Sequence, residues 1–345
     1  MSKAISKMIV TVAVVIILII AGVGAYLLLP QSTPDEDFQV GMVLYGHTDL
    51  GSWDPMCAST TLDLESVLSI NAVFSEGTQI VDAEDVIRNR ATTDDLVFVS
   101  TYIYGDAAIE VAEEFPDTPF VLQQFLKSDV SDISVFPSNI LLYVNEDTFA
   151  ESLFLSGATA GKMTETNKIG LIVPDNSPGS AAMVQSFIAG ALYANPDVEA
   201  SYSIIGAFVD PIKSRDAAAS MVEAGVDVLW NGMDDESVIE EALSQGVYAT
   251  HQYRDIRSTY PDTVIAVAQW HLSGWFQEPL ESAMDGSWKT YWEQNRVSQV
   301  DFESGGCNVY YGNMVPAETV SYLNTLRSQI INDQVDTPFL VGQWP

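Results

Sequence analysis

The chain has 345 residues, 47% hydrophobic and 18% charged, a globular composition long enough for two domains with separate cores. Its formal charge is −33; without the first thirty residues, which hold Lys3, Lys7 and no acid, 12 Lys and Arg face 47 Asp and Glu, a net of −35. Polyanions are bound by clustered cations, so nucleic acid and anionic membrane surfaces are excluded as partners of the body, and the scattered acids read as a solvated surface.

Ile9 to Leu29 is apolar apart from Thr11, Tyr26 and its glycines, about the length of a membrane-spanning helix. Lys3 and Lys7 precede it and Asp35, Glu36 and Asp37 follow, which puts the N-terminus in the cytoplasm and everything after Pro30 outside. Residues 1–30 are expected to be an N-terminal transmembrane anchor and 31–38 a tether. A cleaved signal peptide is the alternative, but the run ends in LLLP rather than in a small-residue cleavage pattern. No Cys follows to carry a lipid.

From Gln39 strands and helices alternate. Val40 to Gly46 reads as the first strand, followed by a loop with His47, Asp49, Gly51, Ser52 and Trp53 and a helix holding Leu62, Val67 and Leu68. Leu96 to Thr101 is a buried strand ending at Tyr102 and Tyr104; Pro119 to Phe125 and Ile140 to Val144 are further strands. Asp147 is placed to cap a helix rich in small residues, Gly157, Ala158, Ala160 and Gly161, which suits close helix packing better than phosphate binding because the Gly-x-Gly-x-x-Gly spacing is missing. Lys168 to Pro174 opens a second βα series.

Ser203 to Asp235 is the densest stretch: an apolar run to Phe208, the turn formers Asp210 and Pro211, a helix over Ala217, Ala218, Met221 and Val222 closed by Gly225, and a strand Val226 to Trp230 leading to Asp234 and Asp235, both good helix caps. This βαβ unit predicts a parallel sheet with ligands beyond the carboxyl ends of its strands. Val247 to Thr250, Val264 to Ala268 and Asn308 to Tyr311 supply later strands, with helices over Phe276 to Met284 and Val320 to Ile330. Two successive βα series imply an α/β protein of doubly wound parallel sheets, in two lobes with a cleft between them.

Chemistry is sparse. His47, His251 and His271 have no paired acid or metal-site spacing, and no nucleophile elbow, P-loop or Cys-His dyad is present, so neither a catalytic role nor a metal or cofactor is expected. Cys57 and Cys307 can be bridged outside the cell or stay as buried thiols, and both readings stay open.

Four passages resemble the basic membrane protein family of substrate-binding lipoproteins, which includes purine nucleoside receptors of ABC importers: Glu151 to Val173, Gly206 to Gly232, Glu240 to Asp255, and Trp270 with Asp285-Gly286-Ser287-Trp288. The most specific piece is strand, Phe-x-Asp-Pro, helix, Gly-x-Asp-Val. The resemblance implies a type I periplasmic-binding-protein fold, two Rossmann-like lobes that close by a hinge, with crossings near Val144, Tyr260 to Thr263 and Gly306. Lobe 1 is then 39–145 plus about 262–305, and lobe 2 is 146–261 plus about 306–345.

The resemblance also implies a purine between an aromatic ring of each lobe, with carboxylates and amides on the ribose. By position Trp53, with Ser52 beside it, matches the first-lobe aromatic, Phe208 the second, Met233 and Asp234 the next loop and Asp255 the acid beyond; Tyr104, Asp210 and Trp270 complete the candidate site as strand-end groups. Each has a bland reading: core packing for the aromatics, helix capping for Asp234, an ion pair with Arg254 or Arg257 for Asp255. Asp49-Leu50-Gly51-Ser52-Trp53 keeps only part of the family's polar motif, and Gln269 stands where relatives carry a lysine, so a free nucleobase or another flat heterocycle is a second candidate ligand. The reading is a membrane-anchored, extracytoplasmic binding protein that hands a small solute to an ABC permease. Its rivals are a ligand sensor for a membrane signalling partner and, less favoured, a nucleoside hydrolase.

Overall fold

The computed structural model describes residues 38–345; the expected anchor and tether at 1–37 lie outside them. The first sheet has six strands in the order β11-β5-β4-β3-β1-β2: β1 (Phe38–Val43), β2 (Ile70–Ser75), β3 (Leu96–Val99), β4 (Phe120–Gln124), β5 (Ile140–Val144) and β11 (Val297–Gln299). The second runs β12-β10-β9-β8-β6-β7: β6 (Lys168–Val173), β7 (Glu199–Ile204), β8 (Val228–Asn231), β9 (Tyr248–Tyr253), β10 (Val264–Trp270) and β12 (Cys307–Tyr311). Parallel pairing dominates, and β12 runs antiparallel to β10.

Central strands such as Leu96–Val99 and Ile140–Val144 are buried at every position, as strands covered on both faces must be. In the first lobe the core joins strands β1, β3, β4 and β5 to two helices, α2 (Ala83–Thr93) and α3 (Gly105–Glu114). A helix α1 (Trp53–Glu65) faces α8 (Leu272–Met284), and α9 (Trp288–Asn295) follows; Trp292 donates its indole N–H to Ile140 O at 2.7 Å. In the second lobe the core joins the sheet to α6 (Pro211–Glu223) and α7 (Ser237–Gln245). The remaining helices are α4 (Glu146–Met163), α5 (Pro178–Ala194) and α10 (Ala317–Ile331).

Helices α4 and α5 press together through glycines. A Cβ on Gly157 would stand 1.9 Å from Phe187 O, and one on Gly190 would stand 1.8 Å from Phe154 O, so the small-residue stripe packs backbone on backbone. Beyond α10 the chain runs back along α5: Gln185 donates to Gln343 O, Gly342 N to Pro178 O, and Trp344 stacks on Tyr202 at 5.0 Å.

The chain passes between the sheets three times: at Val144–Glu146, after Trp270, and between Gln299 and Cys307. The crossings are tied together, Val300 N donating to Val144 O, the Thr148 hydroxyl to Val300 O, and His271 N to Gly306 O at 2.8 Å. The second crossing corrects the expectation of a return to lobe 1 near residue 262. Pro261 only marks a turn, in which Val264 N bonds back to Tyr260 O at 3.0 Å, and β10 stays in the second sheet between β9 and β12. An apolar strand carries no local sign of which sheet will take it.

Smaller shifts have local causes. The strand expected over Ser203–Phe208 lies earlier, at Glu199–Ile204, because Ile205 and Gly206, the latter at φ +87°, turn the chain onto Val173 O and Pro174 O and leave Phe208 in a loop. Asn145, not Asp147, occupies the cap position of α4, and Asp147 pairs with Lys127 at 2.7 Å. Gly225 and Gly246 close their helices at φ +95° and +69°, conformations that cost glycine little. Cys57 and Cys307 are separate buried thiols.

Candidate functional site

A cleft of about 370 Å³ opens between the lobes, at the small end of the range for ligand sites. Trp53 is the first residue of α1, held there because Asp54 accepts from Tyr45 N (3.1 Å) and Gly46 N (2.9 Å) and so folds the loop after β1 onto the helix start. The half-buried Trp53 ring meets Tyr253 and Trp270 of the second lobe edge-on, at 5.3 and 5.4 Å. Phe149 touches Trp270 at 4.8 Å and Phe125 at 5.1 Å, and Phe339 from the C-terminal segment lies 6.0 Å from Phe125. Aromatic pairs of this kind add to area burial and fix ring orientation.

Polar groups are interspersed. Gln123 Oε1 accepts from Tyr102 N at 2.7 Å, which leaves its amide N–H₂ for the cleft. Asp175 accepts from the Ser180 hydroxyl at 2.6 Å and from Ser177 N at 3.1 Å. Asp234 accepts from Trp53 N at 3.2 Å, a bond that crosses from one lobe to the other. Four carboxyls line the cleft, those of Asp54, Asp129, Asp175 and Asp234, and among the described residues no Lys, Arg or His does. Such a lining repels phosphate and other anions and accepts hydrogen bonds from neutral or cationic solutes.

Of the residues expected at the site, Trp53, Phe208 and Asp234 line this cleft together; Phe208 is 44% exposed and its carbonyl accepts from Asp234 N at 3.0 Å. Others are engaged elsewhere. Tyr104 is buried in the first lobe and donates to Thr78 O, because the strand before it stops at Val99 and a short turn swings the ring inward. Met233 belongs to the second core. Asp210 caps α6 through Lys213 N (3.1 Å) and pairs with Lys213 Nζ (3.0 Å). Asp255 is held by Arg257 through three bonds, from its backbone N–H at 3.0 Å and its guanidinium at 2.9 and 2.7 Å, the competing ion pair its neighbours offer. Ser52 is buried with its hydroxyl 3.5 Å from His251 Nε2, and Trp270, 3% exposed, stands behind the cleft wall.

Asp54, Tyr253, Phe125 and Phe149 line the cleft without having been singled out from sequence. Tyr253 ends β9 at φ +71°, rare and costly for a bulky residue, and such strain concentrates at binding sites. Burial drives His251 down to about 3, so it is neutral; Asn231 Nδ2 donates to its Nδ1 at 3.3 Å, which leaves Nε2–H toward Ser52.

Burial raises Asp54 to about 6 and Asp234 to about 7, each of the two also raised by a neighbouring acid, and it raises Glu151, beside the third crossing, to about 7. In the unfolded chain these groups ionise near their ordinary values of 3.8 and 4.5. Between about pH 4 and 7 the unfolded chain sheds protons that the fold retains at these three acids, so their contribution to stability falls as pH rises through that window; His251, neutral in the fold but protonated in the unfolded chain below about 6.5, works the opposite way, one group against three. The thermal midpoint is expected to be higher at about pH 5 than at about pH 7.5. A midpoint that climbs across that interval would contradict the assignment.

A family model described as ABC transporter substrate-binding protein PnrA-like matches residues 39–340. The chain is 25% identical over 277 residues to a purine-binding protein of Brucella abortus, covering 79% of this chain and 76% of that one. It is 24% identical over 324 residues to basic membrane protein A1 of Borrelia garinii, covering 89% and 90%. An ABC transporter solute-binding protein of Conexibacter woesei superposes with a TM-score of 0.73 at 20% identity, over 88% of this chain and 99% of that one. The two-sheet arrangement is thus the periplasmic-binding-protein fold.

Proposed function

Since the chain belongs to the PnrA-like family of ABC transporter substrate-binding proteins, non-enzymatic components whose soluble body works outside the cytoplasm, we propose that its cleft captures a purine nucleoside or nucleobase for delivery to a permease. The observation that carries this reading is the lining: rings from both lobes beside carboxylates and a free amide, and no Lys, Arg or His of the described residues in the cleft wall. A flat heterocycle gains from stacking on such rings, and its N–H groups and any ribose hydroxyls find acceptors in the acids. The relative named as purine-binding supports the same choice. Residues 1–30 are proposed to tether the body to the membrane.

Calorimetry tests it with inosine, guanosine, adenosine, hypoxanthine, AMP, D-ribose and D-glucose. Nucleosides or free bases are expected to bind at micromolar concentration or below, and AMP to be rejected by the four carboxyls. A sugar also presents hydroxyls and ring faces, so binding of glucose with no purine response at millimolar concentration would overturn the purine assignment and leave the transport role standing.

A further inference from the structure

Helix α1 has no cap of its own. Ser52 occupies the N-cap position at φ −124° and ψ −41°, and its side chain bonds none of the helix's first amides; its hydroxyl is turned toward His251 of the second lobe. The first amides of a helix need an acceptor, and here the acceptor is Asp234, which takes the Trp53 N–H at 3.2 Å. Gly51 makes the approach possible: at φ +85° it brings the loop so near that a Cβ would lie 3.2 Å from Asp234 O.

Asp234 is free for this because its own helix does not use it. The amide of Ser237, which opens α7, donates to Asp235 Oδ1 at 3.0 Å. The loop is held by its own hydrogen bonds: Met233 N donates to Asn231 Oδ1 at 3.1 Å, Asn231 Nδ2 to Asp235 O at 2.7 Å, and Asp234 N to Phe208 O at 3.0 Å.

We propose that Asp234 is a positioning residue for lobe closure, capping the first turn of α1 from the opposite lobe so that the closed arrangement is held by the protein as well as by its ligand. When the lobes part, the Trp53 amide exchanges a carboxyl oxygen for water. The contact therefore differs between the open and closed states, which is what an interaction needs in order to shift that equilibrium. A carboxyl oxygen accepts this bond in either protonation state, and the field of the helix N-terminus opposes the burial that raises Asp234. The same bond sets the Trp53 backbone, and with it the ring between Tyr253 and Trp270. The inference rests on hinge closure and not on purine as the ligand.

The test uses Asp234→Ala and Asp234→Asn with two readouts, for the protein as isolated and again with excess inosine. One is amide hydrogen exchange over residues 50–56. The other is the interlobe distance between nitroxides on Glu113→Cys and Gln245→Cys, both exposed, with the native thiols buried and unlabelled. Asp234→Ala is expected to speed exchange of the 50–56 segment at least tenfold and to move the distance distribution outward, with Asp234→Asn, which keeps an acceptor oxygen, between it and wild type. If both variants keep wild-type exchange and distances in both conditions, the cap is wrong, even if inosine affinity falls, since Asp234 would then be a ligand contact only. Failure of the purine reading looks different: inosine leaves the wild-type distances unmoved while Asp234→Ala still opens the protein as isolated.

Discussion

Trp53→Ala is expected to lower affinity for the bound purine roughly 5- to 150-fold, the loss of one stacking partner worth roughly 1–3 kcal/mol, while the thermal midpoint stays nearly unchanged. The ring is half-buried at the head of α1, and the rings it meets, Tyr253 and Trp270, both belong to the other lobe. Removing it therefore takes material from the cleft and from the lobe junction but little from the interior of lobe 1. Calorimetry with the purine that binds wild type best reads the change. Phe208→Ala, at a loop residue 44% exposed, is expected to cost less than Trp53→Ala. If Trp53→Ala binds as tightly as wild type, stacking on this ring is not how the ligand is held.

Gly190→Val is expected to cost about 3 kcal/mol or more of stability, the upper end for overpacking in a core, and its failure to accumulate as folded protein would be the extreme form of the same result. A Cβ there would stand 1.8 Å from Phe154 O, and the obstacle is backbone of the neighbouring helix, not a side chain that can turn aside. Urea unfolding measures the effect. Gly274→Ala is the control: its Cβ meets nothing within 4 Å and it lies inside a helix, so the change is expected to be neutral or slightly stabilising. Equal midpoints for Gly190→Val and wild type would mean that α4 and α5 sit farther apart than described. Because α4 begins just after the first crossing and carries Phe149, a shift of this helix pair would also move one wall of the cleft.

The alternation of strand and helix was legible because buried parallel strands are short, unbroken apolar runs; Leu96–Val99 and Ile140–Val144 stand where those runs are. Sheet membership was not legible, since Val264–Trp270 has the same composition whichever lobe takes it. At the site, Trp53, Phe208 and Asp234 were legible as strand-end or loop groups beside turn formers. Tyr253 was not. Asp255, two residues on, carries the more obvious functional chemistry, yet Arg257 occupies it, and only the positive φ at Tyr253 turns that ring to the cleft. Asp234 shows a further limit: an acid ahead of a helix looks like that helix's cap, and no local pattern reveals that the helix it serves lies in another lobe, 181 residues earlier in the chain.

The cation-free lining has a bearing on the surroundings in which such a receptor works. A neutral solute held by ring faces and short hydrogen bonds has no long-range attraction for dissolved ions to screen, whereas capture that relies on opposite charges weakens steeply as the Debye length shrinks. The body presents a net charge of −35 to the medium, and the four cleft carboxyls are part of it, but a solute without net charge gains no long-range attraction from them. Its grip on its cargo should therefore be much the same in dilute medium and in brine, a useful property outside the cytoplasm, where no cell sets the ionic strength.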